Sequence, residues 1–346
     1  MTERRLYLDA GVGETRGVVT LDGRPERLLI RRDGDERRLC LGAHLVARVR
    51  RLEPAIGSAF LDVGQGGEAV LPFRPEERPV EGQTLEVEVR SEPRRDKLAV
   101  VRAVGPADGA PRLLAHAPDI ADQLRAFARD AAIVEGRKAR DMADEAQAEA
   151  LGVVHPLPGG GSLAIETTRA LTAIDVDLGE RKGADAKRVT RQLNLAALGA
   201  AARLLRLKSL GGLVVIDLAG RGHDGNALLA AARAAFAPDN PGVAFGPISR
   251  FGTLELTLPR RTPPLHETLC GPDGAPSDLT LALALIRAVE REAGAQPGAR
   301  LAVRCAPAVA EAAQPLAEML ALRIGARFTI SEEGGFERER LEVAAL

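Results

Sequence analysis

The stretch that most constrains the fold is GGLVVIDLAG, at 211–220 of the 346-residue chain. An apolar run between a glycine pair and Asp217 reads as a buried strand. The residues before it, RVTRQLNLAALGAAARLLRLKSL (188–210), space their apolar side chains three and four apart, which predicts a long helix. After it, NALLAAARAAFA (226–237) predicts another helix, and VAFGPISRFGTLELTL (243–258) predicts more strand. Upstream, SLAIET and ALTAIDVD predict two strands joined by a tight turn. Residues 163–258 therefore form an α/β layer with central strands.

The rest of the chain has a different rhythm. Residues 4–9, 16–21 and 25–30 read as short strands, turned by Gly11, Gly13 and the Asp22–Gly23 pair. Between 39 and 104, LVARVRRL alternates apolar and basic side chains, the period of a half-buried strand. SAFLDVG, EAVLPF, TLEVEVRSE and KLAVVRAV follow, and five short strands suit an OB-type barrel. Residues 119–150 are rich in Ala and charge and predict helix, begun by Pro118 or Asp119 and divided at Gly136. HPLPGGGS (155–162) reads as a flexible lead-in to the next domain, and 259–276 as a Pro/Gly-rich linker. Beyond it, Ser277 caps a helix, followed by strand 300–305, a helix near 307–323 containing Pro315, and strands at 326–331 and 340–346. The domain boundaries drawn are 1–34, 35–105, 106–160, 161–262, 263–276 and 277–346.

Composition excludes several classes. Lys and Arg number 47 against 48 Asp and Glu, so no uniform cationic coat exists. Charge is nevertheless polarised: net +7 over 181–208, +5 over 23–51 and −3 over 331–346. Phosphate attraction is one reading of the basic windows, and solvated helix faces are the other. Eight Phe, one Tyr and no Trp leave little for carbohydrate binding or multi-base stacking. Cys40, Cys270 and Cys305 form no CxxC motif, which argues against a disulfide framework. With no signal-like apolar stretch at the N-terminus and no run long enough to span a bilayer, a reduced, cytoplasmic protein is expected.

The candidate chemistry sits at strand ends. Asp175 and Asp177 are two apart in AIDVD and share one side of a strand. Asp217 closes GGLVVID in the same way, where ligands of open sheets gather. Two such carboxylates repel unless a hard cation lies between them, and Mg²⁺ takes one or two carboxylates plus waters. The plainer reading makes each Asp a cap of the next helix or loop. The five histidines show no metal-ligand spacing, and the GGG of 159–161 precedes a strand, not the helix a phosphate loop needs.

These motifs resemble the ribonuclease E/G family of single-strand-specific endoribonucleases. GGGSLAIETTRALTAIDVD through LRLKSLGGLVVIDL to ISRFGTLELTLPRR is similar to its DNase I-like α/β catalytic domain. VRRLEPAIGSAFLDVGQGGEAVLPF is similar to its S1 RNA-binding domain, an OB barrel, and residues 5–30 to the first strands of its RNase H-like subdomain. The last seventy residues resemble its small C-terminal α/β domain. The implied whole is a mixed α/β and β multidomain protein. The resemblance implies that Asp175 and Asp217 are catalytic and hold Mg²⁺, with Mn²⁺ as the alternative ion. Asp177 is a third candidate ligand, standing where the family has Asn.

The same resemblance implies RNA contacts from Phe60 and Lys97, while Val70 replaces a second aromatic. Lys182, Lys187, Arg188 and Arg191 are expected to position the RNA backbone, with Asn194 supporting the site. Residues 105–158 are too short for the family's 5′-sensor, so no preference for a 5′-monophosphate is expected. Cys270 stands alone where the family has a zinc-binding pair. No zinc and no zinc-linked tetramer are therefore expected; a monomer or weak homodimer is. The function implied is a Mg²⁺-dependent endoribonuclease acting on single-stranded RNA, with no membrane partner. The alternative is an RNA-binding protein of the same fold with little or no nuclease activity.

Overall fold

The computed structural model describes residues 3–94, 97–180, 185–220 and 224–346. Three antiparallel strands open it: β1 (Arg4–Ala10), β2 (Glu14–Leu21) and β3 (Arg24–Arg32). Asp22 and Gly23, both at positive φ (50° and 80°), make the tight β2–β3 turn that matches strand twist.

The next strands are β4 (His44–Glu53), β5 (Ser58–Gly64), β6 (Gly67–Pro72), β7 (Thr84–Ser91) and β8 (Ala99–Pro106). They pair in the order β5-β6-β8-β7-β4, and β4 also pairs with β5, closing a five-stranded, OB-like barrel. Leu45, Ala47 and Val49 of β4 point inward beside Leu61, Val87 and Val89, while Arg48 and Arg50 are exposed. The alternation read from the sequence is thus the inside and outside of the barrel.

Residues 106–160, expected to be helical, also contain strands. β9 (Arg112–Ala115) extends the barrel through β4. Then come α1 (Ile120–Phe127), β10 (Ile133–Val134), α2 (Arg137–Leu151) and β11 (Val154–Pro156). Strands of two to four residues are too short for a period to register. Asp119 caps α1 by accepting from Asp122 N at 2.8 Å, and Gly136, at φ 73°, separates the two helices as the sequence predicts. β10 pairs in parallel with β1, and Ile120 and Leu124 of α1 pack on Leu6 and Val19. The N-terminal strands and α1–α2 therefore form one unit, although the barrel interrupts them in sequence.

The sheet that carries the candidate site is built from β11, β12 (Ser162–Thr167), β13 (Thr172–Asp177), β14 (Gly212–Asp217), β15 (Ala244–Ile248) and β16 (Thr253–Leu258). Its order is β11-β12-β13-β14-β16-β15, with β13 and β14 parallel and the remaining pairs antiparallel. α3 (Ala186–Leu207) is the crossover between β13 and β14, and α4 (Gly225–Ala235) follows β14. Leu193, Ala197, Leu198 and Ala201 of α3 cover Ile174, Val176, Val214 and Ile216. The helices cover one face only. Leu213 of the apolar run remains 39% exposed, so β14 is buried on one side and not on both.

Residues 263–276, expected to be a linker, hold the short helix α5 (Leu265–Leu269), whose leucines enter the same core. Proline and glycine marked the turns correctly, but the cover for two leucines comes from distant residues. The chain ends in α6 (Asp278–Ala295), β17 (Leu301–Cys305), α7 (Pro307–Ile324), β18 (Phe328–Glu332) and β19 (Glu342–Ala345), with sheet order β18-β17-β19. Ser277 caps α6, accepting from Thr280 N at 3.2 Å. Among the described residues, no helix is long and apolar enough to cross a membrane.

Much of the basic charge is spent inside the fold. Arg203 forks onto Glu149 at 2.6 and 2.9 Å, and Arg206 pairs with Glu26 at 3.1 Å and Asp239 at 2.8 Å. Lys208, 7% exposed, donates to the carbonyls of Ala150 and Gly152 at the end of α2. In the other basic window, Arg32 binds Glu14 and Arg50 binds Asp62. Arg203, Arg206, Lys208 and Arg32 are thereby withdrawn from phosphate, whereas Arg50 stays exposed beside its partner.

Burial pushes the Lys208 ammonium down to about 8 from an ordinary 10.5, although Glu149 pulls the other way. The folded state releases this proton before the unfolded chain does. Stability is therefore expected to rise between about pH 8 and 10.5, and to be lost again as pH falls through 8. Urea midpoints of wild type and Lys208→Met across that range check this. The wild-type curve gains relative to the variant if the charged amine is the strained species.

Candidate active site

β13 and β14 run in parallel with Asp175 and Asp217 as direct Cα partners. Neighbouring strands lie about 4.8 Å apart, so two carboxylates leave the same end of the sheet side by side. Their neighbours Ile174, Val176 and Ile216 point into the α3–α4 core, so the period of two sends both carboxylates to the open face. Both are exposed. Neither caps a helix: Asp185 caps α3, accepting from Arg188 N at 3.0 Å, and Asp224 caps α4, accepting from Ala227 N at 3.2 Å. Among the described residues, neither Asp175 nor Asp217 makes a side-chain hydrogen bond.

Asp177 shares the exposed face, one pleat further on, opposite Ser162 of β12. Its carboxylate accepts from Gly179 N at 3.0 Å, which shapes the turn leaving β13. Among the described residues, no group of three or more His, Cys, Asp or Glu is placed to hold a metal. The charge pair is therefore Asp175 with Asp217, and Asp177 flanks it.

Two backbone approaches fix the strand ends. Gly161, at φ 76°, sits where a Cβ would lie 2.6 Å from the Asp177 carbonyl oxygen. Gly161 is thus fitted closely against the carboxylate strand, where a side chain would not be accommodated. Gly220, at φ 82°, lets the segment after Asp217 pass Thr190 of α3, where a Cβ would meet the threonine methyl at 2.8 Å.

Asn194 makes the third tie. It is wholly buried, donates to Ala219 O at 3.0 Å and accepts from Ala219 N at 3.0 Å. One amide thereby satisfies both backbone groups of the residue two past Asp217. Asn194→Ala is expected to cost about 1–3 kcal/mol, because it strands a buried donor and acceptor. Any turnover at the carboxylates should fall in kcat more than in KM, since the loop and not the binding surface is disturbed. Denaturant midpoints with steady-state kinetics check both.

Lys187, Arg188 and Arg191 are exposed on the first turns of α3, at the carboxylate end of the sheet. No carboxylate among the described residues pairs with them. Lys182 lies outside the described residues. Phe60 and Lys97 lie elsewhere. Phe60 is on the barrel, cross-strand from Arg51, whose guanidinium sits 3.7 Å over its ring, and from Val70. Lys97 lines a cavity of about 720 Å³ with Arg94, Arg169, Thr172 and Arg260. That cavity opens toward the opposite end of β13 and β14, where Thr172 in its lining is three residues from Asp175, about 10 Å along the strand.

Sequence reasoning passed over the turn between β15 and β16. Thr253 is the Cα partner of Asp217 on its other side, and Leu218 N donates to Gly252 O at 3.2 Å. The sequence reads 243–258 as strand throughout, and only strand pairing shows the turn at 249–252 and ties it to Asp217.

Fold and site together define a mixed α/β protein with an OB-like barrel and a carboxylate pair at the open face of an α/β sheet. The sequence pattern of the ribonuclease E/G family matches residues 113–261, which span β13, α3, β14 and the β15–β16 turn. Ribonuclease E of Haemophilus influenzae is 37% identical over 147 residues, 40% of this chain and 16% of that protein. Ribonuclease E of Escherichia coli K12 is 37% identical over 147 residues, covering 40% of this chain and 14% of that protein. Ribonuclease G of Escherichia coli K12 is 29% identical over 117 residues, 33% of this chain and 24% of that protein. The resemblance read from the motifs is thus borne out over residues 113–261, and the aligned stretches span a small fraction of the relatives' length.

Proposed function

We propose that this protein is a Mg²⁺-dependent endoribonuclease of single-stranded RNA. The observation that carries the reading is the register of Asp175 and Asp217, direct neighbours on parallel strands with both side chains on the open face. The donor set fits a hard divalent ion, which takes carboxylate oxygens and keeps waters and phosphate oxygens as its other ligands. Asp175 and Asp217 would hold it. The chemistry such an ion supplies when bound is water activation and neutralisation of charge on the scissile phosphate.

The chain's own residues supply the rest. Lys187, Arg188 and Arg191, beside the positive end of α3, draw the RNA backbone to the carboxylates. Asn194 holds the segment after Asp217 and keeps that carboxylate in register. The barrel acts as an S1-type RNA-binding module, with Phe60 and Arg51 gripping a flanking nucleotide and Lys97 contacting a more distant phosphate. Zinc has no role in this scheme, and the working unit is a monomer or weak homodimer.

The test uses a 5′-labelled single-stranded RNA incubated with the purified chain, with and without Mg²⁺, bearing either a 5′-hydroxyl or a 5′-monophosphate. Endonucleolytic products that require Mg²⁺ and form equally from both ends are expected. RNA that is bound and never cut, with Mg²⁺ or Mn²⁺, would replace the nuclease reading with an RNA-binding one.

A further inference from the structure

The chain has nine aromatic residues, all described, and Phe251 alone among them is exposed, at 75%. Leaving a phenyl ring in water forgoes the gain of burying it. A loose loop would explain that exposure, but this loop is tightly tied. Ser249 N donates to Thr253 O at 2.8 Å, and Gly252 N donates to Ser249 O at 3.0 Å. The Ser249 hydroxyl accepts from Phe251 N and Thr253 N, both at 3.2 Å, and lies 2.7 Å from the Thr253 hydroxyl. Gly252 takes φ 94°, which completes the tight turn. The ring is held out by a hydrogen-bonded frame.

That frame is anchored to the carboxylate pair. Thr253 is the Cα partner of Asp217, and Leu218 N donates to Gly252 O. Phe251 lies two positions before Thr253, so its Cα is no more than about 13 Å from that of Asp217. The Arg250 guanidinium lies 4.6 Å from the ring centroid, adding positive charge to the aromatic surface. An exposed ring with a cation on it, beside a site read as acting on phosphodiesters, matches a nucleobase with its attached phosphate better than an apolar partner.

We propose that Phe251 is the stacking platform for the base of a nucleotide flanking the scissile linkage, and so positions the single strand across Asp175 and Asp217. The inference rests on the nuclease reading of that site. It also supplies the second stacking surface that Val70 denies the barrel.

The test uses a short single-stranded oligoribonucleotide carrying a fluorescent adenine analogue whose emission stacking quenches. It is titrated in EDTA with wild type, Phe251→Leu and Phe251→Tyr, and cleavage of the unmodified RNA is measured in Mg²⁺. Wild type and Phe251→Tyr are expected to quench the probe, whereas Phe251→Leu loses the quench and binds roughly 5- to 100-fold more weakly. All three should melt together, since the ring supports no core. Equal quench and equal affinity for Phe251→Leu would overturn the proposal. If wild type cleaves and Phe251→Leu cleaves with unchanged KM, the nuclease reading stands and the platform falls. If wild type binds with a Phe251-dependent quench but never cleaves, the platform stands and the nuclease reading falls.

Discussion

Asp217→Asn is expected to lower RNA cleavage by about a hundredfold or more, and at the same time to raise the melting temperature. Both effects come from one geometry. Asp175 and Asp217 are paired across parallel strands on an exposed face. Like charges opposed on a sheet destabilise by about 0.2–1 kcal/mol, and Asn keeps the shape while removing one charge. That corresponds to a gain of about one to three degrees in a protein of this size, measured without divalent ions. Addition of Mg²⁺ should then stabilise the wild type by mass action and leave the variant unmoved.

Asp175→Asn should behave alike, and the double variant should be little worse than either single one, because the two carboxylates act as a unit. The measurements are initial rates on labelled RNA and thermal melts with and without Mg²⁺. Cleavage at the wild-type rate by both variants would remove these residues from the chemistry. A lower melting temperature would contradict the repulsion.

The second large effect concerns the seam between the N-terminal sheet and the C-terminal unit. Glu14 is 4% exposed and accepts from Arg287 at 2.9 Å and Arg32 at 3.1 Å. Arg16, 1% exposed, binds Asp9 at 2.6 Å and Asp144 at 2.8 Å. Arg140 joins Asp9 to Glu290, and Arg32 also reaches Thr280 at 2.7 Å. One charge network thus ties β2, β3 and α2 to α6. Burial and the nearby Arg16 both push the Arg287 guanidinium down from its ordinary value, so this cation depends on its partner.

Glu14→Ala leaves Arg287 and Arg32 buried without their shared carboxylate, and is expected to cost about 3–5 kcal/mol. That is a large part of the stability of an ordinary domain. Urea unfolding measures the loss, and limited proteolysis should release residues 277–346 earlier in the variant. Glu14→Leu combined with Arg287→Met should be less damaging than Glu14→Leu alone, because it removes both charges of the closest pair. A loss below 1 kcal/mol for Glu14→Ala would mean that water reaches this seam.

Local pattern was enough for the elements. The 3.6-residue period of 188–210 gave α3, the alternation at 45–52 gave β4, and Asp119 and Ser277 marked helix starts that their capping bonds bear out. Pattern failed where cover or pairing came from afar. The strands β9, β10 and β11 are too short to show a period, and α5 is helical with its leucines covered from other elements. Charge runs were open to two readings, phosphate attraction or a solvated helix face, and Arg203, Arg206 and Lys208 follow neither, because partners remote in sequence occupy them.

The sequence alone determined that two aspartates close two apolar strands, because an apolar run and its terminal polar residue are neighbours in the chain. Only the tertiary structure decided that these strands are adjacent, parallel and in register, which turns two isolated carboxylates into one pair. It also decided that Asn194, Gly161 and Phe251 belong with them. Strand register, close backbone approach and exposure are relations between distant segments, and no local period encodes them.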